Sequence, residues 1–315
     1  MTLSNSSPGA VRSRINGSLL GGALMEAAAG SPEEFHFGDA AHLALYTVDG
    51  LTEALEWAND GVAADEAACL WLAYLRWLRI QGEAPPSSAP SPPARWLDRQ
   101  DVPHRRSQPD TATVRALASG EMGSRQRPLE RDDDGPGALQ RSAPFGLVAN
   151  VPPEWIEKLA LDAAAITHGN PLAQIPAAVL ARLIHGITFK EQSLEDGISA
   201  AAQHAAALGS TDLSALLQSP DTAQQERADA AGVLGEAVGL VLSTANDDGA
   251  ASFRALLTAG GKLEGPAASV VGSVAGSIAG ALHGDHSLPP DARQRLAGAD
   301  IVEEVAAGFA SAMGV

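Results

Sequence analysis

The residues of this chain whose types could do chemistry are few and far apart. His168 stands in Thr167-His168-Gly169-Asn170-Pro171, where a helical pattern closes. An imidazole there either caps the last helical carbonyls, which favour positive charge, or contacts a ligand. Asp134-Gly135-Pro136-Gly137-Ala138-Leu139-Gln140-Arg141 is a glycine-containing loop running into a helix. Such a loop can turn amide donors toward a phosphate, and it reads equally as an ordinary turn. Asp49, in Thr47-Val48-Asp49-Gly50, is a carboxylate inside a helical pattern, open to a solvated or a capping role. Cys69 is the single cysteine, so an intramolecular disulfide and a cysteine-based zinc cluster are excluded. Its apolar surroundings, Ala67-Ala68-Cys69-Leu70-Trp71-Leu72, predict a buried structural thiol.

The elements that must position these residues are helices. Apolar spacing and end signals predict them at 40–59, 65–80, 153–168, 171–187, 195–208, 223–243, 266–282 and 301–313, with Asp65 as a cap and Pro152 and Pro153 opening the third. Alternating β-branched runs are almost absent, and the expected fold class is all-α. Residues 1–10, rich in Ser, Asn, Pro and Gly, read as a disordered tail. Residues 11–315 read as one domain with irregular excursions near 82–110 and 120–140. The first excursion has prolines at 85, 86, 90, 92 and 93, which forbid a helix. Gly272, Gly276, Gly280 and Gly284 recur every fourth residue, the spacing of one smooth helical stripe against which another backbone can lie closely.

Composition narrows the function. Of the 315 residues, 45% are apolar, enough for a large core, and the formal charge is -17. A chain so acidic repels polyanions, so no nucleic-acid partner is expected. No membrane span is expected either, since the charge-free segment 267–282 falls short of the ~20 residues that cross a bilayer. Residues 12–29 imitate a secretory signal, but Glu26 interrupts them before the alanines. A cytoplasmic protein is the expectation.

Several segments, taken in order, resemble one family. Arg14-Ile15-Asn16-Gly17-Ser18-Leu19-Leu20-Gly21 looks like a first helix of that family, and Gly30-Ser31-Pro32-Glu33-Glu34-Phe35 is similar to its G-x-P-x-E-F element with one insertion. Gly135-Pro136-Gly137 through Arg141-Ser142-Ala143-Pro144-Phe145-Gly146 resembles G-x-G-x-x-M-R-x-A-P-x-G. Ala165 to Pro171 resembles A-x-T-H-x-x-P, and Ile278 to Gly284 resembles I-A-G-A-Y-Y-G. The family is the all-α ADP-ribosylglycohydrolases, which include the dinitrogenase reductase-activating glycohydrolases.

The resemblance implies a two-magnesium centre built on T-D-D-T and G-G-D-T-D-T elements, and here the chain departs from it. Thr47-Val48-Asp49-Gly50 keeps one carboxylate of the first element. The second reads Gly265-Pro266-Ala267-Ala268-Ser269-Val270 without gaps, or has Lys262 and Glu264 at the carboxylate positions in a shifted register. Magnesium needs oxygen ligands anchored by carboxylates, so no metal and no other cofactor is expected. By resemblance, Gly135, Gly137, Arg141 and His168 face the ligand, while Glu34, Asp49 and Glu26 are the candidate catalytic carboxylates. The expected function is a degenerate ADP-ribosylglycohydrolase-like pseudoenzyme that binds ADP-ribose, a related nucleotide or an ADP-ribosylated protein. The alternatives are a metal-independent or repurposed glycohydrolase acting on an ADP-ribosyl or other glycosidic bond, and a structural or partner-binding helical protein with a self-filled cleft.

Overall fold

The computed structural model describes residues 7–101, 109–219 and 227–315. Residues 1–6 of the expected tail, 102–108 of the first excursion and 223–226 of the expected helix 223–243 lie outside them. The fold is all-α. In chain order the helices are α1 (Pro8–Gly30), α2 (Asp39–Asn59), α3 (Glu66–Ile80), α4 (Thr111–Ala118), α5 (Pro153–Ala165), α6 (Pro171–Lys190) and α7 (Leu194–Ala207). They continue as α8 (Thr211–Gln218), α9 (Ala230–Thr244), α10 (Gly249–Gly260), α11 (Ala268–His283), α12 (Pro290–Arg295) and α13 (Ala299–Ala312). One isolated bridge, His36 to Ala297, is the only strand-like pairing among the described residues.

Local chemistry explains most of the helix starts. α1 begins inside the stretch read as a disordered tail, because Ser7 accepts the Ala10 amide and Pro8 presets the first helical φ. Asp65 caps α3 through the Ala68 amide, Asn170 caps α6 through Leu172, and Ser193 caps α7 through Asp196. Each such cap contributes about 1 kcal/mol. Helices α4 and α8 span eight residues each and α12 spans six, too few turns for apolar periodicity to declare itself. α10 is also missed, its pattern diluted by Gly249, Gly260 and Gly261.

The centre of the molecule is the antiparallel contact between α1 and α11. Gly17 lies against Gly280 and Gly21 against Gly276. A Cβ on Gly276 or Gly280 would strike the carbonyl of Gly21 or Gly17, and one on Gly272 would sit 2.7 Å from the Met25 carbonyl. Three members of the predicted stripe therefore let two backbones touch. The fourth, Gly284, has φ 76° and ends α11 in a conformation that favours glycine. Around this pair, α6 is the one described helix long and apolar enough to cross a membrane, and 78% of its apolar stretch is buried inside the protein. It behaves as a core helix. α5 packs on α6 and α2 on α3, which brings the C-terminal end of α5 beside the loop carrying Gly135 and Gly137.

Candidate functional site

Where α5 ends, segments distant in sequence meet around one histidine. The helix stops at Ala165, short of the expected 168, and a turn held by the Ala163 and Ala164 carbonyls carries Thr167 and His168 onward. The His168 side chain is 0% exposed. Its Nδ1 lies 2.8 Å from Thr167 Oγ1, and its Nε2 faces Asp110 Oδ2 at 3.4 Å and Asp133 Oδ1 at 3.7 Å. Asp110 is the N-cap of α4, its Oδ2 accepting the Thr113 amide at 2.7 Å. Asp133 precedes the glycines, and its Oδ1 accepts the Gly135 amide at 3.0 Å. A Cβ on Gly137 would run into both the Asp110 carboxylate and the His168 ring. Burial raises the Asp110 carboxyl, but the contacts from His168 and Thr113 outweigh it and bring it down to about 2.

Arg141 is the brace behind this corner, and it is fully buried. Nη1 donates to the Gly137 carbonyl at 3.2 Å and to Thr113 Oγ1 at 3.4 Å. Nη2 donates to Thr167 Oγ1 at 2.6 Å and to the Ala163 carbonyl at 3.5 Å. The guanidinium stacks 4.6 Å from the Tyr74 ring centre, and the Tyr74 hydroxyl meets Thr47 Oγ1 at 2.8 Å. Gly135, Gly137, Arg141 and His168 therefore form one corner, in which the donors of Arg141 point at the protein itself. Asp110 and Asp133 are the members that sequence reasoning missed. Asp110-Thr111-Ala112-Thr113 carries a helix-cap signal, but nothing local connects it to a histidine so far along the chain.

The three candidate catalytic carboxylates lie elsewhere in the hydrogen-bond network. Glu26 reaches from α1 to the start of α2, its two oxygens accepting the Ala40 and Ala41 amides at 2.9 Å each. Burial, opposed by those bonds, pushes its carboxyl up to about 7. Asp49 pairs with Arg76 and with Arg95, the latter at 3.0 Å; Arg76 also meets Asp98 at 3.1 Å and Glu53 at 3.7 Å. Glu34 has a 75% exposed side chain whose carboxylate lies 3.2 Å from His36 Nδ1. Among the described residues, no hydrogen bond or ion pair joins Glu26, Glu34 or Asp49 to His168. Cys69 is buried, and burial pushes its thiol up to about 11. That matches the structural role expected of it.

The profile of the ADP-ribosylglycohydrolase family matches residues 7–314, and the chain belongs to that family. A solved structure, an ADP-ribosylglycohydrolase-related protein complex, superposes over 97% of this chain and 99% of its own with a TM-score of 0.66 at 22% identity. At that identity the likeness is one of fold. Among curated proteins none matches.

The side chains at the positions that the sequence resemblance gives to the family's magnesium ligands do not suit that ion. Val48 is a fully buried hydrocarbon, and Asp49 is neutralised by two arginines. Ala267 is the N-cap residue of α11, and a Cβ on Gly30 would lie 3.2 Å from that of Ser269. In the shifted register, Lys262 and Glu264 are exposed. A hard dication has no carboxylate pair to anchor it there.

Proposed function

We propose that this chain is a non-hydrolytic member of the ADP-ribosylglycohydrolase family, acting by binding ADP-ribose, a related nucleotide or an ADP-ribosylated protein. The observation that carries this reading is the pairing of Asp49 with Arg76 and Arg95. The one carboxylate kept from the first magnesium element is held by fixed cations, while the corner of Gly135, Gly137 and His168 remains built. Hydrolysis has none of the candidate catalytic carboxylates to draw on at that corner, because Glu26 is committed to capping α2 and Glu34 points into solvent beside His36. A thermal-shift titration with ADP-ribose, run with magnesium and again with EDTA, tests it. The expected result is stabilisation of about 2.7 kcal/mol at 100 times Kd in both buffers, with no ribose released on long incubation. Stabilisation only with magnesium would contradict the reading. So would turnover that Glu34→Gln or Asp49→Asn abolishes.

One observation favours a second reading, in which the cleft is filled by the protein's own side chains. The Gly135 amide, a donor of the kind that receives a phosphate, already donates to Asp133, and Asp110 lies against Gly137. Two carboxylates there repel an anion. Asp133→Asn removes one charge from a partly exposed position, and ADP-ribose is expected to bind the variant several-fold more tightly than the parent chain. No binding to either form would favour the self-filled cleft.

A further inference from the structure

We propose that Asp110, Asp133 and His168 form a binding site for a single divalent transition-metal ion, of the zinc, cobalt or manganese class, distinct from the family's two-magnesium centre. One ligand atom from each of the three side chains lies within 4.8 Å of the other two, the only such group of three or more among the described residues. The second observation is His168 itself. Its Nε2 is buried, has no hydrogen-bond partner, and is aimed between the two carboxylates.

The geometry suits one ion. Ligand atoms each about 2.1 Å from a tetrahedral ion are separated by about 3.4 Å. Nε2 stands 3.4 and 3.7 Å from the two carboxylate oxygens, within a few tenths of an ångström of that spacing. The orientation of the ring is also that of a ligand. Thr167 Oγ1 already accepts from Arg141, and it can accept a second hydrogen bond, from Nδ1–H of His168. That leaves the Nε2 lone pair free for the ion, with Thr167 and Arg141 as the supporting layer such sites need. Asp110 and Asp133 have side chains 21% and 30% exposed, so the approach is from their side, and water completes the coordination. An imidazole beside two carboxylates selects zinc, cobalt or manganese over magnesium, which takes oxygen ligands.

The metal-stripped full-length chain is titrated with cobalt and with zinc in the absence of nucleotide, so that the result is independent of whether ADP-ribose binds. The expected result is one equivalent per chain, visible cobalt absorption bands from a low-symmetry site, and magnesium at least 100-fold weaker. Asp133→Asn, at a partly exposed position that tolerates the change, is expected to weaken cobalt binding at least tenfold, and His168→Gln to abolish the bands. Failure to bind stoichiometric cobalt or zinc would overturn the proposal. Binding unchanged in Asp133→Asn would overturn it equally.

Discussion

At the scale of single residues, two buried groups set opposing pH dependences. Glu26 has an ordinary value of 4.5 that burial raises to about 7 in the folded chain. The folded form holds that proton more tightly, so stability falls as pH rises from 4.5 to 7, by about 3 kcal/mol in all. His185 runs the other way. Burial lowers it from 6.5 to about 4, so stability falls as pH drops through that window, by a similar amount. In the parent chain the two slopes offset each other between pH 4.5 and 6.5. Glu26→Gln is expected to unmask the histidine, giving stability that rises with pH there. His185→Gln is expected to unmask the glutamate, giving stability that falls. Urea denaturation across pH reads both, and two variants with the parent's flat profile would refute the pair of shifts.

At the scale of elements, one ion cluster joins α2, α3 and the first excursion. Arg76 interrupts the apolar run of α3 and is 4% exposed among Asp49, Glu53 and Asp98. Arg76→Met removes the guanidinium from between those carboxylates and is expected to lose roughly 3–5 kcal/mol in urea denaturation. Adding Asp49→Asn to the same chain is expected to recover part of it. The α1–α11 contact makes a sharper comparison. Gly276→Ala forces a methyl into the Gly21 carbonyl and is expected to cost at least about 3 kcal/mol. Gly308→Ala lies on the exposed face of α13 with nothing within 4 Å of the added methyl, and is expected to gain about 0.5–1 kcal/mol. Equal effects from the two alanines would mean that helix propensity, not backbone contact, governs both.

This scale also shows what the residues disclosed beforehand. Several long helices were legible because periodicity needs only neighbours: α2 and α3 match their expected spans almost to the residue, whereas α1, the longest, has no one-sided apolar pattern. The four-residue glycine spacing announced a close helix contact. Its partner, Gly17 and Gly21, was visible only as part of a family motif. The corner around His168 was half legible. Gly135, Gly137 and Arg141 carry a local pattern, whereas Asp110 and Asp133 join them only through the folding of three separate segments. Arg76 was a signal left unread, since a charge within an apolar helix needs a buried counter-charge.

For the whole molecule, the charge of -17 is a burden. Self-repulsion among surface carboxylates opposes compaction. Between about 0.01 and 0.15 M salt the screening length shortens from ~30 to ~8 Å, so the melting temperature is expected to rise with sodium chloride over that range. A fall instead would mean that screened attractions, the Arg76 cluster foremost, outweigh the repulsion.

The glycine seam has a consequence for how the chain is made. α1 is buried along most of its length, and its principal partner, α11, begins at residue 268. At about 5–20 residues per second, roughly 12–50 s pass on the ribosome between completion of the first helix and the arrival of the second. During that interval an apolar, glycine-notched helix lacks its principal partner. A nascent chain stalled before α11 should therefore be sensitive to protease throughout α1 and should bind chaperones. The finished chain should be neither, because its earliest helix and one of its latest close the fold together.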